Sequence, residues 1–178
     1  SGVLIIGTES DTKKLTKITI SDKTYEVQLE LGKTTSTLDP EGKIVNAKKK
    51  PELDSDKIKS VLSKFLGKQK QKPPMYSAKK HNGVRLYKLA RKNIEVERKD
   101  VDISIQNIEL LDFNKNVVRF IVECSKGTYI RVLGKDIAEK LDTIGYLSAL
   151  KRTKVGDFLI NDSLSIDGFQ GKWKSIKH

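Results

Sequence analysis

Residues 117–141 read VVRFIVECSKGTYIRVLGKDIAEKL, and within them the period of the apolar residues changes. Over 117–124, Val118, Phe120 and Val122 share one face while Val117, Arg119, Ile121 and Glu123 share the other, as in a strand covered on one side. Over 129–141, Ile130, Leu133, Ile137 and Leu141 recur at helical spacing and form an apolar stripe. A stripe of that width must be buried, and the strand beside it offers the surface. The stretch therefore predicts a helix packed on a sheet.

The flanking sequence extends that unit. Residues 101–111 predict a second strand, joined to 117–124 by a hairpin at 112–116. Residues 24–31 place Tyr25, Val27, Leu29 and Leu31 on one face, and Gly32 ends the run. Gly145 breaks the helix, and residues 150–159 predict a last strand. Near the start, residues 3–6 read as a short buried strand, followed by a helix capped by Thr8 or Ser10 and running through Ile18. Residues 33–53 are polar and predict a loop with a turn at Asp39-Pro40-Glu41-Gly42, where proline fixes φ and glycine permits positive values. Asp54 caps a helix that carries Ile58, Val61, Leu62 and Phe65 on one side, with Gly67 as its stop. Helical and strand periods alternate without a regular βαβ rhythm, so the class is α+β.

Residues 68–98 have too few apolar side chains for a core of their own. They predict a basic segment around Pro73-Pro74-Met75-Tyr76, with a short helix at 86–92, that packs on a partner. Lys79, Lys80, Arg85, Lys88 and Arg91 interleave there with Tyr76 and Tyr87, a mixture suited to neutralising phosphates and stacking on bases. A solvated charged helix is the plainer alternative. The 178 residues carry 35 Lys and Arg against 23 Asp and Glu, a net charge of +12, which favours a polyanionic partner and nucleic acid first. One cysteine, Cys124, excludes an internal disulfide, and with His81 and His178 it makes no cluster at metal-ligand spacing. No metal site is expected. No apolar run reaches the ~20 residues a membrane span needs, and no signal-peptide pattern is present, so the expectation is an intracellular, cytoplasmic monomer. Beyond Asp162 the chain is polar and basic and predicts a tail ordered in part.

Three segments together resemble the TruB family of pseudouridine synthases, in its order and at about its spacings. The first is Lys23-Thr24-Tyr25-Glu26-Val27 with Leu31-Gly32 and residues 35–42 (TSTLDPEG). The second is Pro74-Met75-Tyr76-Ser77-Ala78-Lys79 with Gly83 and residues 86–91 (LYKLAR), and the third is residues 124–131 (CSKGTYIR) with Leu150-Lys151-Arg152 and Val155-Gly156. The resemblance implies a mixed, mainly antiparallel sheet flanked by helices over residues 1–159, with residues 68–98 as a thumb that grips RNA and 160–178 as a C-terminal tail. It also implies an activity, the isomerisation of a uridine in the TΨC loop of tRNA after the base is flipped out of its stack, and since substrate and product have equal composition it implies no cofactor.

By match to the family motifs, Tyr25 would stack on the flipped uracil and could move a proton, and Arg131 would pair with the catalytic carboxylate and keep it ionised. Leu150, and with it Ile130, would wall the base off from water, and Asp39 would help hold the flipped nucleotide. Without the family, Tyr25 and Leu150 are ordinary half-buried or core residues of strands. Arg131 near a helix start is unusual, because the dipole there prefers acids. The catalytic motif of the family runs G-G-T-L-D-P-x-A-[ST]-G-V-L, and Ser1-Gly2-Val3-Leu4 matches its last four positions. The catalytic aspartate is then expected just upstream of Ser1, so that the chain alone is inactive, whether as a fragment, as one of two chains or as a natural variant without catalysis. Thr37-Leu38-Asp39-Pro40 mimics the motif but follows the tyrosine strand, which argues against Asp39 as nucleophile. Two rivals remain. One is a module that binds and remodels tRNA without chemistry; the other is a guide-RNA-dependent relative, against which the Tyr76–Arg91 segment argues.

Overall fold

The computed structural model describes residues 1–176. The alternating segment forms a strand, Val117–Cys124, whose Val118, Phe120, Val122 and Cys124 are almost wholly buried. It lies inside a six-stranded sheet. Naming elements in chain order, α1 is Leu15–Ile20, β1 Lys23–Leu31, β2 Lys33–Thr35, β3 Ile44–Ala47 and α2 Ser55–Ser63. Next come β4 Gly67–Gln71, β5 Lys80–His81, β6 Val84–Arg85, α3 Leu86–Ala90, β7 Val101–Phe113 and β8 Val117–Cys124. The chain continues through α4 Ile130–Lys140, β9 Gly145–Val155, β10 Phe158–Leu159 and α5 Ile166–Ile176. The large sheet runs β10-β9-β1-β8-β7-β4, and its neighbours pair antiparallel. The architecture is α+β, with a mainly antiparallel sheet flanked by helices.

One face of the sheet is covered by α2 and α4. Ile130, Leu133, Ile137 and Leu141, the stripe read from the sequence, enter one core with Val27, Leu29, Leu31 and Phe120. Ile58, Val61, Leu62 and Phe65 of the α2 region enter the same core, and the Asp54 side chain caps α2 by accepting from the Lys57 N–H at 2.7 Å. Contact between α4 and the sheet is close because Gly145 has no side chain. A Cβ there would lie 2.9 Å from Ala138 Cβ, from Leu29 Cδ1 and from the Glu30 carbonyl oxygen.

Several expectations change. Residues 3–6 are not a buried strand: only Val3 is buried, and Leu4 and Ile6 are 73% and 72% exposed. The N-terminal segment meets β9 at one bridge, Gly2 with Arg152, because β10 pairs with Lys154 and Val155 on the same strand and shortens the stretch open to it. The first helix runs further than expected, as a 3-10 segment Glu9–Lys14 followed by α1 to Ile20. Thr8 precedes it and makes no side-chain cap. The loop expected at 33–53 contains a small hairpin, β2 with β3, around the Asp39–Gly42 turn. β7 extends two residues beyond its expected end, and Asn114 closes the hairpin by accepting from the N–H groups of Asn116 and Val117.

The last strand starts at Gly145 rather than Leu150 and stops at Val155 before turning into β10. Gly145 therefore opens a strand, while α4 has already ended at Lys140. Residues 67–71 belong to the sheet edge as β4, so the first part of the basic segment is scaffold. The region beyond Asp162 contains α5. Ser165 starts it, its Oγ accepting from the Gly168 N–H, and Asp167 in the first turn complements the helix dipole. Lys177 and His178 lie outside the described residues.

Candidate functional site

The sheet and α4 bring the expected site residues into two neighbouring clusters. The first lies on β1 and β9. Tyr25 sits opposite Val122 on β8 and Arg152 on β9, and Leu150 sits opposite Val27. Tyr25 and Leu150 are partly buried and pack on the core. Burial pushes the Tyr25 phenol above its usual pKa, with the adjacent Arg152 pulling the other way, so the hydroxyl is protonated at neutral pH.

The N-terminal segment is docked against this cluster. The Ser1 ammonium donates to the Leu150 carbonyl at 3.1 Å, the Arg152 N–H donates to the Ser1 carbonyl at 3.1 Å, and the Val3 N–H donates to the Arg152 carbonyl at 2.9 Å. The Arg152 guanidinium donates twice to the Val3 carbonyl, at 2.9 and 2.6 Å. Gly2 makes this approach possible: its φ is +120°, and a Cβ would collide with the backbone of Arg152. Sequence reasoning missed Arg152 as a site residue. Its signal was present, a basic residue two positions after Leu150 within the matched segment, but nothing in the sequence shows that it turns to the chain start.

The second cluster centres on Arg131 in the first turn of α4. Nη1 donates to Asp39 Oδ2 at 2.7 Å and to the Thr37 carbonyl at 2.9 Å, and Nη2 donates to the Tyr76 carbonyl at 2.7 Å. A carboxylate at an N-terminal turn of a helix is ordinary; an arginine there is held by the acid it faces. Asp39 is itself fixed, its Oδ1 accepting from Thr37 Oγ1 and from the Glu41 N–H. Arg131 thus joins the turn after β2, helix α4 and the base of the basic segment. Its expected partner was a catalytic carboxylate, and the partner observed is Asp39. Asp39, expected on the nucleotide, spends three acceptor sites inside the protein. Among the described residues no hydrogen bond or ion pair joins Arg131 to Tyr25. Ile130 is 4% exposed and lies in the core behind both clusters.

In the basic segment, Lys79, Lys80, Arg85, Lys88 and Arg91 are exposed, and Tyr76 and Tyr87 are half-buried. β5 and β6 form a hairpin over Asn82-Gly83, both at positive φ. Its base is closed by backbone bonds from Leu86 N–H to the Lys79 carbonyl and from Tyr87 N–H to the Ser77 carbonyl, and Leu86 is buried. The Arg91 guanidinium lies over the Tyr87 ring at 5.5 Å from its centroid. Beside Arg131 a cavity of about 450 Å³ opens between Thr37, Lys72, Tyr76, Arg98, Val132 and Lys135. Among the described residues no cluster of His, Cys, Asp and Glu could hold a metal ion, and no helix is long and apolar enough to cross a membrane.

Comparison with known proteins places this geometry. A family model described as TruB family pseudouridylate synthase (N terminal domain) matches residues 1–130. The tRNA pseudouridine synthase B of Mycoplasma mobile is 44% identical over 162 residues, which cover 90% of this chain and 56% of that protein. That of Francisella philomiragia is 44% identical over 171 residues, covering 96% of this chain and 57% of that protein. The chain spans about half the length of the curated relatives it matches. Among solved structures, a Cbf5-Nop10-Gar1 complex contains a chain with TM-score 0.71 and 23% identity, covering 99% of this chain and 44% of that one. An H/ACA RNP bound to a substrate RNA containing 2'-deoxyuridine gives TM-score 0.64 at 19% identity, covering 97% of this chain and 41% of that one. At these identities the two structures establish a shared fold.

Proposed function

The chain belongs to the TruB family of pseudouridylate synthases, and from that premise we propose that it forms the uridine pocket and RNA grip of an enzyme that isomerises a uridine in the TΨC loop of tRNA. The reaction breaks the bond from C1′ to N1 of uracil, turns the base and joins C1′ to C5; the N1 proton gained and the C5 proton lost balance, and no electrons enter or leave. A carboxylate at the sugar and a proton carrier suffice.

The observation that carries the reading is the docking of Ser1–Val3 against Leu150 and Arg152, one strand away from Tyr25. In the motif match these residues follow the nucleophilic aspartate, so the carboxylate is supplied from ahead of Ser1 and enters beside Tyr25 and Leu150. Tyr25 stacks on the extruded uracil, and its protonated hydroxyl can hand over or take up a proton. Leu150 excludes water from the base. Arg131 has five N–H donors, three of them engaged by Asp39, Thr37 and Tyr76, which leaves two for the incoming carboxylate. Asp39 is then the anchor that aims the guanidinium. Tyr76, Lys79, Lys80, Arg85, Tyr87, Lys88 and Arg91 grip the stem-loop of a cytoplasmic tRNA, bound by a single copy of the protein.

The test is chemical mapping of pseudouridine in a TΨC stem-loop RNA incubated with this chain and with the chain extended upstream through the aspartate motif. Turnover confined to the extended form is expected. Tight, salt-dependent binding by both forms with turnover by neither would replace the enzyme with a module that binds and remodels tRNA.

A further inference from the structure

The cavity beside Arg131 has a lining that the uridine chemistry does not use. Lys70 and Lys72 stand exposed at its edge and are in no ion pair among the described residues. Arg98 lines it too, donating through Nη1 to the Pro73 carbonyl at 3.3 Å and through Nη2 to Glu95 at 2.8 Å, while its buried Nε–H has no acceptor. Lys135 comes from α4, paired with Glu139 at 2.8 Å, and Asp136 is the one acid on the lining. Glu95 and Glu139 offset Arg98 and Lys135, and Asp136 lies 3.6 Å from Lys135, so the positive surplus of the lining rests on Lys70 and Lys72, and two unpaired ammonium groups beside one cavity make a site for an anion.

Position selects which anion. The same cavity is lined by Thr37 and Tyr76, whose carbonyls hold Arg131, and Tyr76 begins the basic segment. An RNA strand held by that segment has this cavity beside it. We propose that this cavity is a phosphate seat for the RNA backbone, in which Lys70, Lys72 and Arg98 fix one internucleotide linkage near the target uridine and so set how far the strand enters the pocket. The proposal rests on the RNA-binding reading above. It adds a seat on the scaffold strand β4 and its exit, separate from the exposed side chains of the β5–β6 hairpin and α3.

The experiment uses a TΨC stem-loop RNA and a set of the same RNAs in which each phosphate in turn is a neutral methylphosphonate. Binding is measured across salt concentrations for the wild-type chain, for Lys70→Gln with Lys72→Gln, and for Arg98→Lys, which keeps the charge and removes the Nη–H groups of the guanidinium. The double variant should lower the slope of log K against log salt by about one unit. One methylphosphonate should weaken wild-type binding and weaken the double variant, which keeps Arg98, much less, and Arg98→Lys should shrink the penalty at that same linkage. A slope unchanged in the double variant, or methylphosphonate penalties equal in all three proteins at every linkage, would overturn the seat while leaving RNA binding standing. Wild-type binding with no salt dependence would instead remove the RNA reading beneath it.

Discussion

Replacing Arg131 by alanine removes three charge-assisted hydrogen bonds at once, to Asp39, to the Thr37 carbonyl and to the Tyr76 carbonyl. The side chains of Arg131 and Asp39 are 24% and 21% exposed, so the pair lies between a surface ion pair, worth about 0–1 kcal/mol, and a buried one, whose breakage costs about 3–5. About 3 kcal/mol is the expected loss, since Asp39 is left with an uncompensated charge and the turn and the basic segment lose their common tie. For a chain of this length that corresponds to a fall in Tm of about 6–12 °C. Urea unfolding of the wild type, Arg131→Ala, Asp39→Ala and the double variant gives the pair's coupling, expected at about 1–3 kcal/mol. In the extended enzyme, Arg131→Ala should also abolish turnover. RNA affinity should fall with stability, because the Tyr76 carbonyl anchors the grip. Loss of less than about 1 kcal/mol with zero coupling to Asp39 would refute the reasoning, for Arg131 would then be a solvated arginine.

Tyr25→Ala should weaken binding of the stem-loop by about 1–3 kcal/mol through lost stacking, whereas Tyr25→Phe should bind within a few-fold and lose turnover in the extended enzyme, as read by titration and chemical mapping. Gly145→Ala should cost about 1–3 kcal/mol in urea unfolding, because the added methyl meets Ala138, Leu29 and the Glu30 carbonyl together and α4 must shift. Burial pushes the Cys124 thiol up to about 11, well above its ordinary value. The unfolded chain therefore loses this proton first as pH rises, and stability that is complete below about pH 9 should decline up to about pH 11, by a total on the order of 2–3 kcal/mol. Cys124→Ala should flatten that decline in a series of unfolding curves. Phe120→Ala, at the centre of the sheet, should cost about 3–5 kcal/mol by the same method.

The parts of the fold that were legible in the sequence are those where one side chain per turn or per pleat meets the core. β8 and α4 come out with nearly the expected ends because Phe120 and Ile137 must be buried and their neighbours must not. The misreadings have one physical source, which is that pairing partners and edges are properties of the whole sheet. Val3, Leu4 and Ile6 look alike in sequence, yet β10 occupies the part of β9 that a longer strand would need, and Leu4 and Ile6 stay in solvent. Residues 67–71 carry glycine, lysine and glutamine and no apolar pattern, because an edge strand like β4 is held by the β7 backbone. α5 was hidden by the polarity around Ile166 and Phe169, although Ser165 and Asp167 stand where a helix start wants them. In the site, the residue types were legible and the partners were not: the motif named Arg131, and only the folded chain shows that it reaches Asp39.

That pairing also bears on the part Asp39 can play. Thr37-Leu38-Asp39-Pro40 has the local sequence of a nucleophile loop, and a nucleophile needs an oxygen free to approach C1′. Asp39 offers Oδ1 to Thr37 and to the Glu41 N–H and Oδ2 to Arg131, so attack would require breaking the bonds that shape its own turn. Its charge has a different use. A guanidinium held at one end by a fixed carboxylate and at two points by backbone carbonyls cannot rotate without losing all three, and its remaining N–H groups keep one direction. An arginine so constrained can receive a second carboxylate without the entropy cost of ordering a free side chain. In the proposed reaction the mimic of the motif is the fixed end of a clamp whose free end meets the incoming carboxylate, and its conversion to asparagine should loosen Arg131 without removing any group that touches the sugar.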